Sequence, residues 1–180
     1  MLLVALSAFV IPPNVTARWL DLLGLGLINL GLLVRVWAIG YAGGSTRSYK
    51  LRAARLVTVG PYAYVRNPIY LGNLLIGLGI VFVAGSWVAL AVLAVVFSIE
   101  YGAIVSLEEE FLTRTFGDAY RKYAEQVPRW LPRLGRPPAP EPVPAAFSWR
   151  AVRKEPLAVL SAYAMAALVE VGAHLPGLLS

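Results

Sequence analysis

Apolar residues run through this chain in long uninterrupted blocks, and charge gathers between the blocks. Leu2–Ile11 is apolar but reaches only half of the roughly 20 residues a full membrane span needs. It reads as a short or half-inserted helix closed by Pro12-Pro13, or as the trimmed end of a longer one. No basic stretch precedes it, which argues against a signal peptide. Trp19–Tyr41 is the first stretch long enough to span, with Arg18 and Asp21 at one end and Trp37 and Tyr41 suited to the other interface. Gly24, Gly26 and Gly31 on it predict close approach of another helix. Ile69–Ile99 contains no charged residue. As one helix it would be about 46 Å long, well beyond a ~30 Å hydrocarbon core, so Gly85-Ser86 is expected to break it into a hairpin. Gly72, Gly77 and Gly79 again predict tight packing, and the second span is expected to run on past Glu100 to Leu107. Glu108–Gln126 is polar, with Phe111, Leu112, Phe116, Tyr120 and Tyr123 at helical spacing, and reads as an amphipathic helix lying on the membrane surface. Pro128 and Pro132 end it. After a proline-rich linker, Pro156–Leu175 is apolar again apart from Glu170 and His174.

Composition agrees with this pattern. Of 180 residues, 58% are hydrophobic and 14% charged, against about 25% charged in ordinary soluble domains. The fold class is therefore all-α, a multi-pass transmembrane helical bundle of about four to five membrane helices with one interfacial helix. The net charge is +6. Arg47, Lys50, Arg52, Arg55 and Arg66 supply five of the basic residues with no acid among them, which marks segment 42–68 as cytoplasmic. Counting spans puts 106–155 on the same side. The excess charge therefore reflects membrane sidedness and anionic lipid, not nucleic acid, for which no basic–aromatic module is present. With no cysteine, the chain has no disulfide, thiolate metal site or cysteine nucleophile.

Three groups of residues can carry chemistry. The stretch LVTVGPYAYVRNPIYLGN, Leu56–Asn73, is irregular because Gly60-Pro61 and Pro68 interrupt any helix. Irregular backbone at membrane depth is tolerated only against protein or a wet cavity. The stretch is either the wall of a cofactor pocket or an interfacial turn with a tyrosine belt and a snorkelling Arg66. Glu108, Glu109 and Glu110 either mark the membrane edge or face a cationic ligand beside Arg66; read as the start of the polar helix, they gain modestly from its dipole. Arg35 and Glu100 lie inside spans and read as a structural ion pair or a cavity lining, or as the charges of a small transporter. Glu170 and His174 are four apart on one helix face and suit each other, being too few for a metal site.

Taken together, LVTVGPYAYVRNPIYLGN, an apolar hairpin and EEEFLTRTFGDAYRKYAEQVPRWLP resemble the isoprenylcysteine carboxyl methyltransferases, a group among the membrane phospholipid methyltransferases. The resemblance covers about Arg35 to Pro132. It implies S-adenosylmethionine as cofactor and a lipophilic acceptor, a prenylcysteine-like carboxylate or related small lipid. A phospholipid amine is the alternative acceptor, and a non-enzymatic membrane subunit or transporter the alternative of another class. Carried over by position, Leu56, Val57, Tyr62, Asn67, Pro68, Ile69, Tyr70 and Glu108 hold the cofactor, and Arg66 and Glu109 order cofactor and acceptor as the catalytic pair. Tyr120, Tyr123 and Arg129 are further motif positions. No metal is implied. The organisation this gives is a membrane core over 1–132 with its cofactor part at 55–132, a linker over 133–148, and a C-terminal membrane helix over 149–180. Two positions depart from the pattern. Asn67 stands where the best-known members have His, and Asn does not titrate near neutral pH. Ile104 stands where eukaryotic members carry a substrate-binding Arg, which weakens the argument for a prenylcysteine carboxylate.

Overall fold

The computed structural model describes residues 18–43, 55–135, 146–153 and 161–168. Leu2–Ile11, Arg47, Lys50, Arg52, Glu170 and His174 lie outside them. Among the described residues every regular element is helical. Helix α1 is Arg18–Ala42, α2 is Pro68–Ala84, α3 is Trp87–Phe116, α4 is Asp118–Gln126 and α5 is Trp149–Val152. A further helical stretch, α6, covers 161–168. A single turn of 3-10 helix, Gly60–Ala63, precedes α2.

Local chemistry sets these boundaries. α1 ends where Gly43 takes φ +70 and its N–H donates to the Ile39 carbonyl at 3.1 Å, a left-handed cap that a side chain would strain. α2 starts with Pro68 in the first helical position, where its missing N–H costs nothing, and Leu71 N–H donates to the Asn67 carbonyl at 3.0 Å. The expected break at Gly85-Ser86 is present. Gly85 turns the chain, and Ser86 Oγ accepts from Ala89 N–H at 3.2 Å to cap α3.

The polar segment differs from expectation. No new helix starts at Glu108; α3 continues for 30 residues to Phe116. Nothing between Leu107 and Phe116 breaks a helix, and the break comes at Gly117, with φ +52. Glu108–Glu110 therefore lie within a helix instead of at its N-terminus, so the dipole argument made for them does not hold. The amphipathic surface element shrinks to α4.

Two helices, Trp19–Ala42 and Trp87–Phe116, are long and apolar enough to cross a membrane, and α2 is a shorter apolar helix. α3 keeps Trp87, Val88, Val95, Ile99 and Leu107 exposed, as a lipid-facing helix does.

The chain packs as two units. Of the described residues the first takes 18–33, 72–100 and 161–168. Its core joins Ile28 and Leu32 of α1 to Ile76, Ile80, Val83 and Ala84 of α2 and Ala162 and Ala166 of α6. Tyr163 Oη donates to Asn29 Oδ1 at 2.7 Å, tying α6 to α1. Glycine brings α1 and α2 into backbone contact. A Cβ at Gly24 would come 2.7 Å from the Gly79 carbonyl oxygen, and one at Gly31 would come 2.6 Å from that of Gly72. Gly26 does not share this role, since a Cβ there meets nothing within 4 Å. It sits about 200° round the helix from Gly24 at 3.6 residues per turn. Gly79→Val is accordingly expected to cost about 1–3 kcal/mol as an overpacked contact. Gly26→Val should leave the thermal unfolding midpoint in detergent close to wild type.

Of the described residues the second unit takes 34–43, 55–71, 101–135 and 146–153. It holds the irregular stretch before α2, the C-terminal half of α3, α4 and α5, and every candidate site residue described below.

Candidate functional site

Tyr64 and Val65 N–H close the turn on the Pro61 carbonyl, and the Asn67 carbonyl opens α2, but the Tyr64 carbonyl and the Arg66 N–H have no helical partner and must bond elsewhere. They go to the stretch after α4. Arg66 N–H donates to the Pro128 carbonyl at 2.9 Å, and Arg133 N–H donates to the Tyr64 carbonyl at 2.9 Å. Asn67 Nδ2 donates to the Arg129 carbonyl at 3.0 Å. Val65, Pro68 and Val127 are buried where these stretches meet. The tyrosine–arginine segment and the segment beyond the hairpin, far apart in sequence, are thus stitched together mainly through their backbones.

The three consecutive glutamates project about 100° apart at 3.6 residues per turn, and each meets a different environment. Glu108 points toward aromatic rings. Tyr70 Oη donates to Glu108 Oε1 at 2.8 Å, and the Tyr70 ring packs on Tyr101 with centroids 5.0 Å apart. Glu109 points toward guanidinium groups. Its Oε2 lies 3.0 Å from Arg129 Nη2, and its Oε1 lies 3.1 Å from Arg66 Nη1, at ion-pair distance without hydrogen-bond alignment. Arg129 Nη2 also donates to Ser106 Oγ at 3.1 Å. Glu110 pairs on the surface with Arg114 one turn on. Separating the carboxylates in this way removes the cost of three adjacent like charges.

Tyrosines close the other side. Tyr123 Oη donates to the Tyr62 carbonyl at 2.8 Å. Burial first, and then the nearby Glu108 charge, pushes the Tyr62 hydroxyl above the ordinary phenol range. Burial does the same to Tyr123, helped by its neighbours Tyr62 and Tyr120. Tyr120 is raised by burial and by Glu109, against the opposing pull of Arg66. All three hydroxyls stay protonated at neutral pH and remain hydrogen-bond donors.

The structure therefore brings together most of the positions singled out in the sequence. Arg66 and Glu109 are in contact, Tyr70 meets Glu108, Asn67 holds the Arg129 carbonyl, and Tyr123 holds that of Tyr62. Pro68 and Ile69 form the first turn of α2, and Leu56 and Val57 lie partly buried in the lead-in to Gly60. The ion pair carried by Arg66 goes to Glu109 and not to Glu108, and Arg129 is its third member. Tyr101, Ser106 and Arg133 were not singled out. Tyr101 precedes Glu108 by seven residues and so shares its helix face, a signal that helical phase alone would have revealed. Ser106 and Arg133 carry no comparable signal. The Nε atoms of Arg66, Arg129 and Arg133 are buried without a hydrogen-bond partner. Buried charge-bearing donors left unmatched are costly, and an anionic group is their natural complement.

Comparison with known proteins places this arrangement. The family model for phospholipid methyltransferase matches residues 19–119. The chain is 36% identical over 115 residues to the cobalt-zinc-cadmium resistance protein CzcN of Cupriavidus metallidurans, covering 64% of this chain and 49% of that one. It is 34% identical over 114 residues to protein-S-isoprenylcysteine O-methyltransferase of Schizosaccharomyces pombe, covering 61% and 48%. It is also 34% identical over 118 residues to protein-S-isoprenylcysteine O-methyltransferase B of Arabidopsis thaliana, covering 63% and 60%. The first two matches span about half the length of those relatives. No solved structure matches. The family match takes in more than half of the chain, both long apolar helices and the Tyr62–Glu109 portion of the site, and so the chain is a membrane protein that belongs to the phospholipid methyltransferase family.

Proposed function

We propose that the chain acts as a multi-pass membrane methyltransferase of four to five membrane helices. Its donor is S-adenosylmethionine, and its acceptor is a lipophilic molecule, a prenylcysteine-like carboxylate or a related small lipid. The observation that carries this reading is the meeting of Tyr62–Tyr70 with Glu108–Arg133 in one hydrogen-bonded and ion-paired cluster.

The residues present fit the cofactor. Adenosylmethionine carries a carboxylate, an ammonium and a sulfonium. The unmatched Nε–H groups of Arg66, Arg129 and Arg133 suit the carboxylate. Glu108 beside the Tyr62 and Tyr70 rings suits the cationic parts. When bound, the cofactor supplies a methyl group activated by the sulfonium charge. The protein's share is to bind, orient and exclude water. Positioning of this kind can supply about 7–11 kcal/mol in favourable cases. In this scheme Arg66 and Glu109 fix cofactor and acceptor relative to each other. Asn67 binds through hydrogen bonds and moves no proton. Leu56, Val57, Pro68 and Ile69 complete the wall. A carboxylate acceptor needs no base to lose a proton, which suits a cluster whose described residues include no histidine.

The stitching of 64–67 to 128–133 supports placing 42–68 and 106–155 on one face of the membrane, the cytoplasmic one by their basic charge. The lipid bilayer itself is then the partner through which the acceptor arrives. Among the described residues no group of three or more His, Cys, Asp or Glu comes together to hold a metal ion, so the metal-resistance name of one relative contributes no ligand set here.

Titration calorimetry of the detergent-solubilised protein with S-adenosylmethionine tests the donor. Methylation assays over prenylcysteine analogues, phospholipid amines and other small lipids test the acceptor. Absence of binding would return the chain to a non-enzymatic membrane subunit.

A further inference from the structure

We infer that Phe147 is a positioning residue for the turn that carries Tyr62, and through it for the methyl-donor site proposed above, on which this part of the role rests. Phe147 lies outside the family-matched residues 19–119. Its ring occupies the space beside Gly40 where any other residue would place a Cβ; Cε2, Cδ2 and Cζ all lie within clashing distance of that position. The contact is anchored by backbone. Ser148 N–H donates to the Gly40 carbonyl at 2.8 Å in the last turn of α1, and Ser148 Oγ caps α5 by accepting from Ala151 N–H at 3.4 Å.

From this anchor the Phe147 ring meets Tyr41 edge-on, with centroids 5.7 Å apart at 76°. Trp149 packs on Phe147 with centroids 4.9 Å apart. The Tyr41 ring in turn lies over Gly60, where an added Cβ would come 2.6 Å from Cδ2 and 2.7 Å from Cε2. Gly60 has φ +63 and opens the turn Gly60–Ala63. That turn presents Tyr62, whose carbonyl Tyr123 holds from the other side. Contact thus runs from Phe147 to Tyr41 to Gly60, and the backbone of the turn carries it through Pro61 to Tyr62. At both Gly40 and Gly60 a missing side chain makes room for a ring. Removing the Phe147 ring leaves Tyr41 unsupported on one side, and the Gly60 end of the turn beneath it is loosened, while Tyr123, Trp37 and Arg133 still hold the Tyr62–Tyr64 end.

The test uses the full chain in detergent, with Phe147→Ala to remove the ring, Gly40→Ala to expel it, Phe147→Tyr to keep it, and Leu134→Ala, at 97% exposure, as a control. Hydrogen exchange is read over residues 56–64 and, for comparison, over 74–99. Both ring-displacing variants are expected to speed exchange at 56–64 by about tenfold and leave 74–99 unchanged. Both should weaken S-adenosylmethionine binding by about tenfold through lost preorganisation, with Phe147→Tyr and Leu134→Ala near wild type. Unchanged exchange at 56–64 in Phe147→Ala overturns the proposal. If that variant does not fold, Gly40→Ala against Phe147→Tyr decides on the same readout. Wild-type protein that does not bind the cofactor overturns the donor reading alone, because exchange still judges the contact chain.

Discussion

Glu109→Gln is expected to lower the thermal unfolding midpoint by roughly 6–12 °C, the shift that about 3 kcal/mol produces in a chain of this size. The carboxylate serves Arg66 through one oxygen and Arg129 through the other. Removing its charge strands two guanidinium groups, and the exposure of the Arg66 and Glu109 side chains is only 18% and 17%. Losing one partner of a buried pair costs about 3–5 kcal/mol, because the remaining charge stays desolvated. The low end applies because Arg66 and Glu109 are part-buried and Arg129 remains 36% exposed, so the stranded groups recover some solvation. Arg129→Gln should accordingly cost less than Arg66→Gln. The double variant Arg66→Gln/Glu109→Gln should cost less than the sum of its parts, since the two share one interaction. Differential scanning fluorimetry in detergent reads all four proteins. A Glu109→Gln protein that keeps its unfolding midpoint while losing methyl transfer would mean that Glu109 acts on the ligand and not on the fold.

That distinction bears on how the site reads in the sequence. The order and spacing of the two motif pieces were legible, and they predicted that Tyr62–Tyr70 and the acidic cluster meet. The choice between adjacent carboxylates was not. Glu108 and Glu109 differ in role only through helix phase, and that phase depends on α3 running unbroken through them. Charge in the sequence marks where a membrane ends, whereas a helix ends where its backbone can no longer continue. Glu108 was read by the first rule, and Gly117 follows the second. Reading one as the other placed a helix start where none exists. The hairpin break was legible for the converse reason: Gly85 can turn left-handed and Ser86 can cap, so both signals coincide at one place. Glycine seams were half legible. Gly24 and Gly31 lie seven apart and share a face, but composition gives no means of excluding Gly26. The bonds of Arg66, Asn67 and Arg133 to the neighbouring segment left no trace, since backbone partners carry no side-chain signature.

Glu108→Ala is expected to weaken S-adenosylmethionine binding on the order of 100-fold, the ~2.8 kcal/mol of a charge-assisted contact. The argument rests on the surroundings of the carboxylate. Arg66 and Arg129 both pair with Glu109, whereas the hydrogen bond on Glu108 comes from the neutral Tyr70 hydroxyl. Its negative charge is therefore left for a cationic guest beside the Tyr62 and Tyr70 rings. Glu108→Gln separates charge from shape. The amide can still accept from Tyr70, so a loss close to that of Glu108→Ala would assign the effect to charge. Tyr70→Phe keeps both the carboxylate and the ring packed on Tyr101 and removes only the orienting hydroxyl. It should cost about 5–10-fold, the ~1–1.4 kcal/mol of one neutral hydrogen bond. Calorimetry on the three variants orders them. Wild-type affinity in Glu108→Gln would mean the cofactor's cationic groups lie elsewhere, and the aromatic wall would then have to be assigned to the acceptor.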